Sequence, residues 1–341
     1  MKRLRPFALA VTLGALALTG CSTGSTDDAS AGTSTTKAEA DAFPVTIEHA
    51  FGETTIEKGP TRVATLGWSD QDHVAALGVV PVGATKITYG GNKAGSTDFF
   101  DAAVEELGGE APTRYDDTDG IPFAEVAKVS PDLILATNSG LTKADYDKLS
   151  KIAPVVAYPD VPWITPWRTS LEMVGKALGR TDEAEKVLAD TEDAIAAAKE
   201  KYADMDGKTF MLNYLSTTDL STIGIYGSQD TRVQFLRDFG LEDAPSVQQV
   251  VKPGEFYGTI SADKADTLAS DVVLAFTDEG GSLDTFVKHP QIGKMPAFAN
   301  GNVYTEADTV VSEAITNPTP LSIPVVIEKV LPKLDAAVQG S

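Results

Sequence analysis

From Val45 onward, apolar and polar residues alternate in VTIEHAFGETTIE around a Phe51-Gly52 pair, a period of two that predicts a β-hairpin. The period then changes. RVATLG is followed by SDQDHVAALG and VVPVGAT, and later come DLILAT, TKADYDKLSKIA and PVVAYP. Short apolar runs separated by helical stretches predict a parallel sheet built from βαβ units. A charged, alanine-rich stretch from Asp182 to Asp204 has helical spacing and neither Gly nor Pro. It predicts one long helix at the middle of the chain. Beyond it the alternation restarts with KTFMLNYLS, STIGIYG, TRVQFLRDFGL, DVVLAFT and NVYTEA, and an apolar stretch from Leu321 to Val338 predicts a closing helix.

Two segments on either side of the long helix match: EVAKVSPDLILAT from Glu125, and DKADTLASDVVLAFT from Asp263. Each has an acid, about two helical turns, and an aspartate entering a buried strand. The pattern predicts an α/β fold of two Rossmann-like lobes with parallel sheets, joined by one long helix, with a ligand cleft between the lobes. A single rigid connector allows only a small closing motion. The expected boundaries are an N-terminal lobe over 44–180, a connecting helix over 181–206 and a C-terminal lobe over 207–341.

The first residues have a different character. Lys2, Arg3 and Arg5 precede an apolar run from Phe7 to Leu18, and Thr19-Gly20 lead to Cys21, the only cysteine of the 341 residues. A positive start, an apolar run and small residues predict an export signal over 1–20, too short to span a bilayer. Leu18-Thr19-Gly20-Cys21 resembles the bacterial lipobox, which implies that Cys21 is the lipid attachment point once the signal is cut. Acyl chains on that residue would hold a soluble domain at the membrane surface on its extracytoplasmic side. Ser22 to Ala42 is rich in Ser, Thr, Gly, Ala and Asp, so 21–43 is expected to be a lipidated cysteine followed by a flexible tether. The formal charge is −21, and loss of the three basic residues of the signal takes it to −24. That excess excludes a nucleic-acid partner, for no basic face remains to meet phosphates.

In order and spacing, KGPTRVATLGWSDQDHVAALGVVPVGAT, VSPDLILAT, TPWRTSLEMVGKALGR, RVQFLRDFGL and TPLSIPVVIEKVLPKL resemble the substrate-binding lipoproteins of bacterial iron–siderophore and cobalamin ABC importers. LGWSDQD and PWITPWR place the chain nearer the iron–siderophore branch. The resemblance implies a monomer that captures a ferric siderophore and delivers it to an ABC permease with its ATPase. It needs no cofactor and no protein-bound metal, since the siderophore wraps the iron.

Ligands of open α/β sheets collect at the carboxyl ends of the strands. On that rule Trp68, Tyr89, Trp163, Trp167, Arg168, Tyr226, Arg232 and Tyr257 are the expected ligand-binding residues, with Tyr214 either joining them or buried. Trp and Tyr offer flat apolar faces to the chelator, and Arg offers a planar fork of donors to its oxygens. Each also has a plainer reading: an indole that packs its loop, an arginine on a helix surface. The resemblance further implies one carboxylate per lobe that docks on permease arginines. Asp263 falls at the second-lobe position and Glu125 lies one residue past the first-lobe position, Ala124.

Two other classes stay open. An exported enzyme has no Gly-x-Ser-x-Gly elbow or phosphate loop to support it, and His49, His73 and His289 are scattered. A zinc- or manganese-binding lipoprotein needs clustered histidines, and His73 is expected on a solvent-facing helix. Within the family, haem and cobalamin remain alternative ligands.

Overall fold

The computed structural model describes residues 38–278 and 281–340. The signal over 1–20, Cys21 and most of the expected tether therefore lie outside the described residues. The tether ends earlier than expected. The Glu39 amide donates to the Gly179 carbonyl at 2.8 Å, its carboxylate accepts from the Asp182 amide at 2.7 Å, and Phe43 packs on the core. Phe43 is what changes the outcome: one large apolar side chain docks the segment before it.

The predicted hairpin is present as β1 (Val45–His49) and β2 (Gly52–Ile56), antiparallel with Val45 opposite Ile56. The first lobe then runs β3 (Val63–Thr65), α1 (Asp70–Ala76), β4 (Gly83–Thr85), α2 (Asp98–Glu106), β5 (Thr113–Tyr115), α3 (Phe123–Lys128), β6 (Leu133–Ala136), α4 (Lys143–Leu149), β7 (Val155–Ala157) and α5 (Trp167–Leu178). Its five strands are all parallel, in the order β5-β4-β3-β6-β7. The long helix is α6 (Thr181–Lys201).

The second lobe runs β8 (Thr209–Leu215), β9 (Thr222–Tyr226), α7 (Thr231–Arg237), β10 (Glu242–Asp243), β11 (Tyr257–Ser261), β12 (Val272–Thr277), α8 (Leu283–Val287), α9 (Pro296–Asn300), β13 (Val303–Glu306) and α10 (Thr309–Thr316). Its path is β11-β9-β8-β12-β13, with β10 beside the start of β8. This sheet is mixed, because β9 runs antiparallel to both β8 and β11. The short link from Ser216 to Ser221 explains why: it allows a hairpin return but is too short for a crossover helix. The expected closing helix is two, α11 (Ile323–Lys329) and α12 (Leu331–Val338), broken where Pro332 cannot donate an amide to the preceding turn.

Every residue of β6 and β12 is buried, as in strands covered on both faces. The largest core continues from Leu133 and Leu171 of the first lobe through Ile195 of α6 to Phe235 and Leu331 of the second. The internal sequence match has a structural cause. Asp132, just before β6, accepts from the amides of Thr61 (2.9 Å) and Arg62 (2.8 Å) ahead of β3. Asp271, just before β12, accepts from the amide of Thr209 (2.8 Å) at the start of β8. Each aspartate ties a central strand to its neighbour.

These bonds lie at the surface, so each contributes modestly. Asp132→Ala should cost about 1–2 kcal/mol in urea unfolding, with the denaturant slope unchanged. A loss near zero would show that the strand pair does not use the carboxylate.

Candidate functional site

The strand order of the first lobe reverses between β3 and β6, so their carboxyl ends frame a crevice. Trp68 follows β3, and Thr137 to Gly140 follow β6. Asp70, fully buried at the start of α1, holds the two loops together: it accepts from the amides of Gly67 (3.1 Å) and Thr137 (3.0 Å) and from the Thr137 hydroxyl. Burial raises its pKa to about 6 against the pull of those bonds.

Trp68 is 43% exposed and leans on Trp163, itself 44% exposed, with ring centroids 5.1 Å apart. The backbone of Trp163 has φ +66°, an uncommon conformation for a bulky residue, held by its amide's bond to the Ser139 carbonyl at 3.2 Å. Gly140 lies directly against the indole, where any Cβ would overlap Nε1.

The second lobe supplies the opposite wall. Tyr226 and Tyr257 face each other across β9 and β11 with centroids 5.2 Å apart. The Arg232 guanidinium lies 4.0 Å over the Tyr226 ring, and Asp230 accepts from its Nε at 2.7 Å and its Nη2 at 2.6 Å. Tyr214 donates to Asp278 at 2.6 Å, so it is half-buried with its hydroxyl committed. That bond, with burial second, pushes the Tyr214 pKa up to about 12.

A third group closes the floor, where the lobes meet. Tyr89, Trp68, Lys86 and Glu313 line one recess, and Tyr89 is close enough to Tyr214, Tyr226 and Arg232 for their charges to act on one another. Gly90 (φ +68°) sets the first-lobe turn against α10, where a Cβ would overlap the Thr309 carbonyl and Glu313. Asp72 of α1 accepts from the Thr319 hydroxyl of the second lobe at 3.0 Å. Glu313 is 5% exposed and accepts from Asn317 Nδ2 at 2.8 Å. Burial raises the pKa of Asp72 to about 7 and that of Glu313 to about 8, with smaller upward pushes from Asp70 on Asp72 and from Asp72 on Glu313.

Trp68, Tyr89, Trp163, Tyr226, Arg232 and Tyr257 thus gather at the seam. Trp167 and Arg168 do not. Trp167 is only 4% exposed and belongs to the core, because it opens α5 on the helix face that packs inward. Arg168 is held by Glu192 of α6 and by Asp238 at 2.9 Å, a tie between the lobes and their connecting helix. His73 is fully buried, against the expectation of a solvent-facing residue, and burial lowers its pKa to about 3. Four consecutive polar residues of α1, Asp70 to His73, are buried together: Asp70 and Gln71 bond within the first lobe, with Thr137 and Arg114, and Asp72 bonds with Thr319 of the second.

Glu125 and Asp263 are exposed in the first turns of α3 and of the short 3₁₀ helix Ala262–Thr267, away from the recess. Among the described residues no group of three or more His, Cys, Asp or Glu could hold a metal ion, and no helix is long and apolar enough to cross a membrane. Sequence reasoning missed Asp72, Asp230 and Glu313, which read as ordinary helix-start or helix-surface residues.

Residues 63–308 match the family model described as periplasmic binding protein. The iron(3+)-hydroxamate-binding protein FhuD of Bacillus subtilis is 30% identical over 260 residues, which cover 74% of this chain and 76% of FhuD. The crystal structure of Streptococcus pneumoniae PiaA in complex with ferrichrome is similar at a TM-score of 0.80 and 37% identity, covering 87% of this chain and 99% of that one. A periplasmic solute binding protein from Mycobacterium smegmatis is similar at a TM-score of 0.73 and 29% identity, covering 86% of this chain and 98% of its own.

The buried acids make stability depend on pH. Glu313 keeps its proton in the folded chain up to about pH 8, whereas the unfolded chain releases it near 4.5. Its contribution is therefore fully present below that lower value and is lost as pH rises, at up to about 1.4 kcal/mol per pH unit. Thermal unfolding of the ligand-free protein between pH 5 and 8 should show a shallower loss in Glu313→Gln than in the parent. Parallel curves would contradict the burial assigned to this carboxyl.

Proposed function

The chain belongs to the periplasmic binding protein family, and from that premise we propose that it captures a ferric hydroxamate siderophore outside the cytoplasm and delivers it to an ABC permease. The observation that carries this reading is where apolar surface is exposed. Of the seven large hydrophobic side chains exposed among the described residues, five are aromatic, and they are Trp68, Tyr89, Trp163, Phe256 and Tyr257. Exposed aromatics concentrated at strand ends of both lobes mark a ligand surface.

The chemistry suits a chelate whose iron is already wrapped. Trp68 and Trp163 offer one flat apolar wall and Tyr226 and Tyr257 the other, while Arg232 donates to the chelator's oxygens. No protein group has to reach the metal. The iron(3+)-hydroxamate named for FhuD and the ferrichrome bound by PiaA support the hydroxamate class. A solute-binding role leaves catalysis no part in this cleft. Cys21 carries the lipid that anchors the protein on the extracytoplasmic side, and a monomer suffices, because both walls come from one chain.

Delivery is assigned to a different surface. Glu125 and Asp263 begin helices on the carboxyl-end side of the two sheets, one acid per lobe, and would meet permease arginines.

Capture and delivery separate cleanly in variants. Trp68→Ala and Arg232→Ala should each weaken ferrichrome binding at least about tenfold, roughly 1.4 kcal/mol, with the ligand-free melting curve little changed. A large loss of stability at unchanged affinity would make these residues structural instead. Asp263→Lys combined with Glu125→Lys should leave affinity intact and abolish iron uptake in cells. Equal loss of binding and uptake would move the acids into the ligand site, and full uptake would remove them from docking.

A further inference from the structure

The cleft holds an arginine whose charge is already spent on the protein. Asp230 accepts from Nε and Nη2 of Arg232 with both of its oxygens, at 2.7 and 2.6 Å, and is itself 5% exposed. Nη1 is the guanidinium nitrogen with no protein hydrogen bond among the described residues. Lys86, the other cation lining the recess, pairs with Asp116 at 3.4 Å. Glu313 puts a further carboxyl into the same recess. Among the described residues the walls therefore present donors and aromatic faces, but no cation lacking a carboxylate partner.

A ferric chelate built from three singly charged hydroxamates is uncharged, whereas one built from three doubly charged catecholates is a trianion. A site that held the trianion would need uncompensated positive charge, since desolvating such an ion without it is very costly. We propose that Asp230 is a specificity-determining residue: by neutralising Arg232 in the cleft wall it makes the site accept uncharged ferric chelates and reject strongly anionic ones. This rests on the siderophore reading above and adds the charge class of the ligand and the residue that sets it. Arg232 is then a donor that fixes orientation, and its attraction for anions is cancelled before any ligand arrives.

Asp230 also caps α7 by accepting from the Arg232 amide at 3.0 Å, so a purely structural role is the competing account. Asn caps a helix about as well as Asp, which makes Asp230→Asn a change in charge rather than in fold. The test measures affinity for ferrichrome and for ferric enterobactin, a tris-catecholate, by tryptophan quenching in the parent, Asp230→Asn and Asp230→Ser, with a melting curve for each. The parent should bind ferric enterobactin at least about a hundredfold more weakly than ferrichrome. In Asp230→Asn the affinity for ferric enterobactin relative to that for ferrichrome should rise at least about tenfold, a gain that shrinks as salt is raised. Asp230→Ser, which also caps a helix and carries no charge, should move the same ratio in the same direction, which covers the case of a poorly folding Asn variant. An unchanged ratio in both variants, or equal affinity of the parent for the two chelates, overturns the proposal. A folded parent that binds neither chelate overturns the siderophore reading itself.

Discussion

The hydrogen bond from Thr319 to Asp72 crosses between the lobes, and the rest of the cleft depends on the seam it belongs to. Burying a carboxyl there is unfavourable unless it is bonded, so the two lobes must stay in register for Asp72 to keep its partner. The same seam carries the close approach of Gly90 to α10 and the recess shared by Trp68, Tyr89 and Glu313. Away from the cleft, Arg168 ties α5 to α6 and to Asp238 after α7. The apolar core also runs without a break from one lobe to the other. Opening the lobes widely would expose that core and strip Asp72 of its bond from Thr319, leaving only that from Gln71, so a small adjustment is the motion this architecture permits. Ligand recognition is accordingly built on walls that are largely in place beforehand, which lowers the ordering cost of binding.

Much of this was legible in the sequence, and the reasons differ by element. The strands DLILAT and DVVLAFT were readable because a strand covered on both faces must be apolar throughout. The repeat that begins at Glu125 and Asp263 was readable because Asp132 and Asp271 perform the same task in each lobe. Trp68 and Trp163 were found from their place just beyond strand ends. Trp167, four residues after Trp163, was assigned to the same wall, yet it lies in a helix whose inward face is core; loop and helix could not be separated within VPWITPWR. The antiparallel β9 was hidden because a short polar link reads alike in a hairpin and in a loop. Asp72 and Glu313 were invisible for a deeper reason: each is buried against the other lobe, and no local pattern records a surface more than two hundred residues away in the chain.

Electrostatically the molecule solves two problems in two places. Its overall charge of −21 keeps it dispersed but would repel an anionic chelate at long range. The cleft does not reverse that field. It pairs Arg232 with Asp230 and Lys86 with Asp116, and it holds Glu313 largely protonated near neutral pH by burial. What remains inside is apolar aromatic surface and oriented donors, a setting that favours a bulky uncharged complex. The exposed acids Glu125 and Asp263 stay on the outside, away from the recess.

The most direct measurement is a fluorescence titration of the signal-free protein, because two of its three tryptophans, Trp68 and Trp163, stand in the cleft. Ferrichrome should quench emission saturably at a one-to-one ratio, while haem, cobalamin and free ferric ion should not. Saturable binding of haem with a sharp Soret band, tighter binding of cobalamin, or no response to ferrichrome by the folded protein would contradict the account.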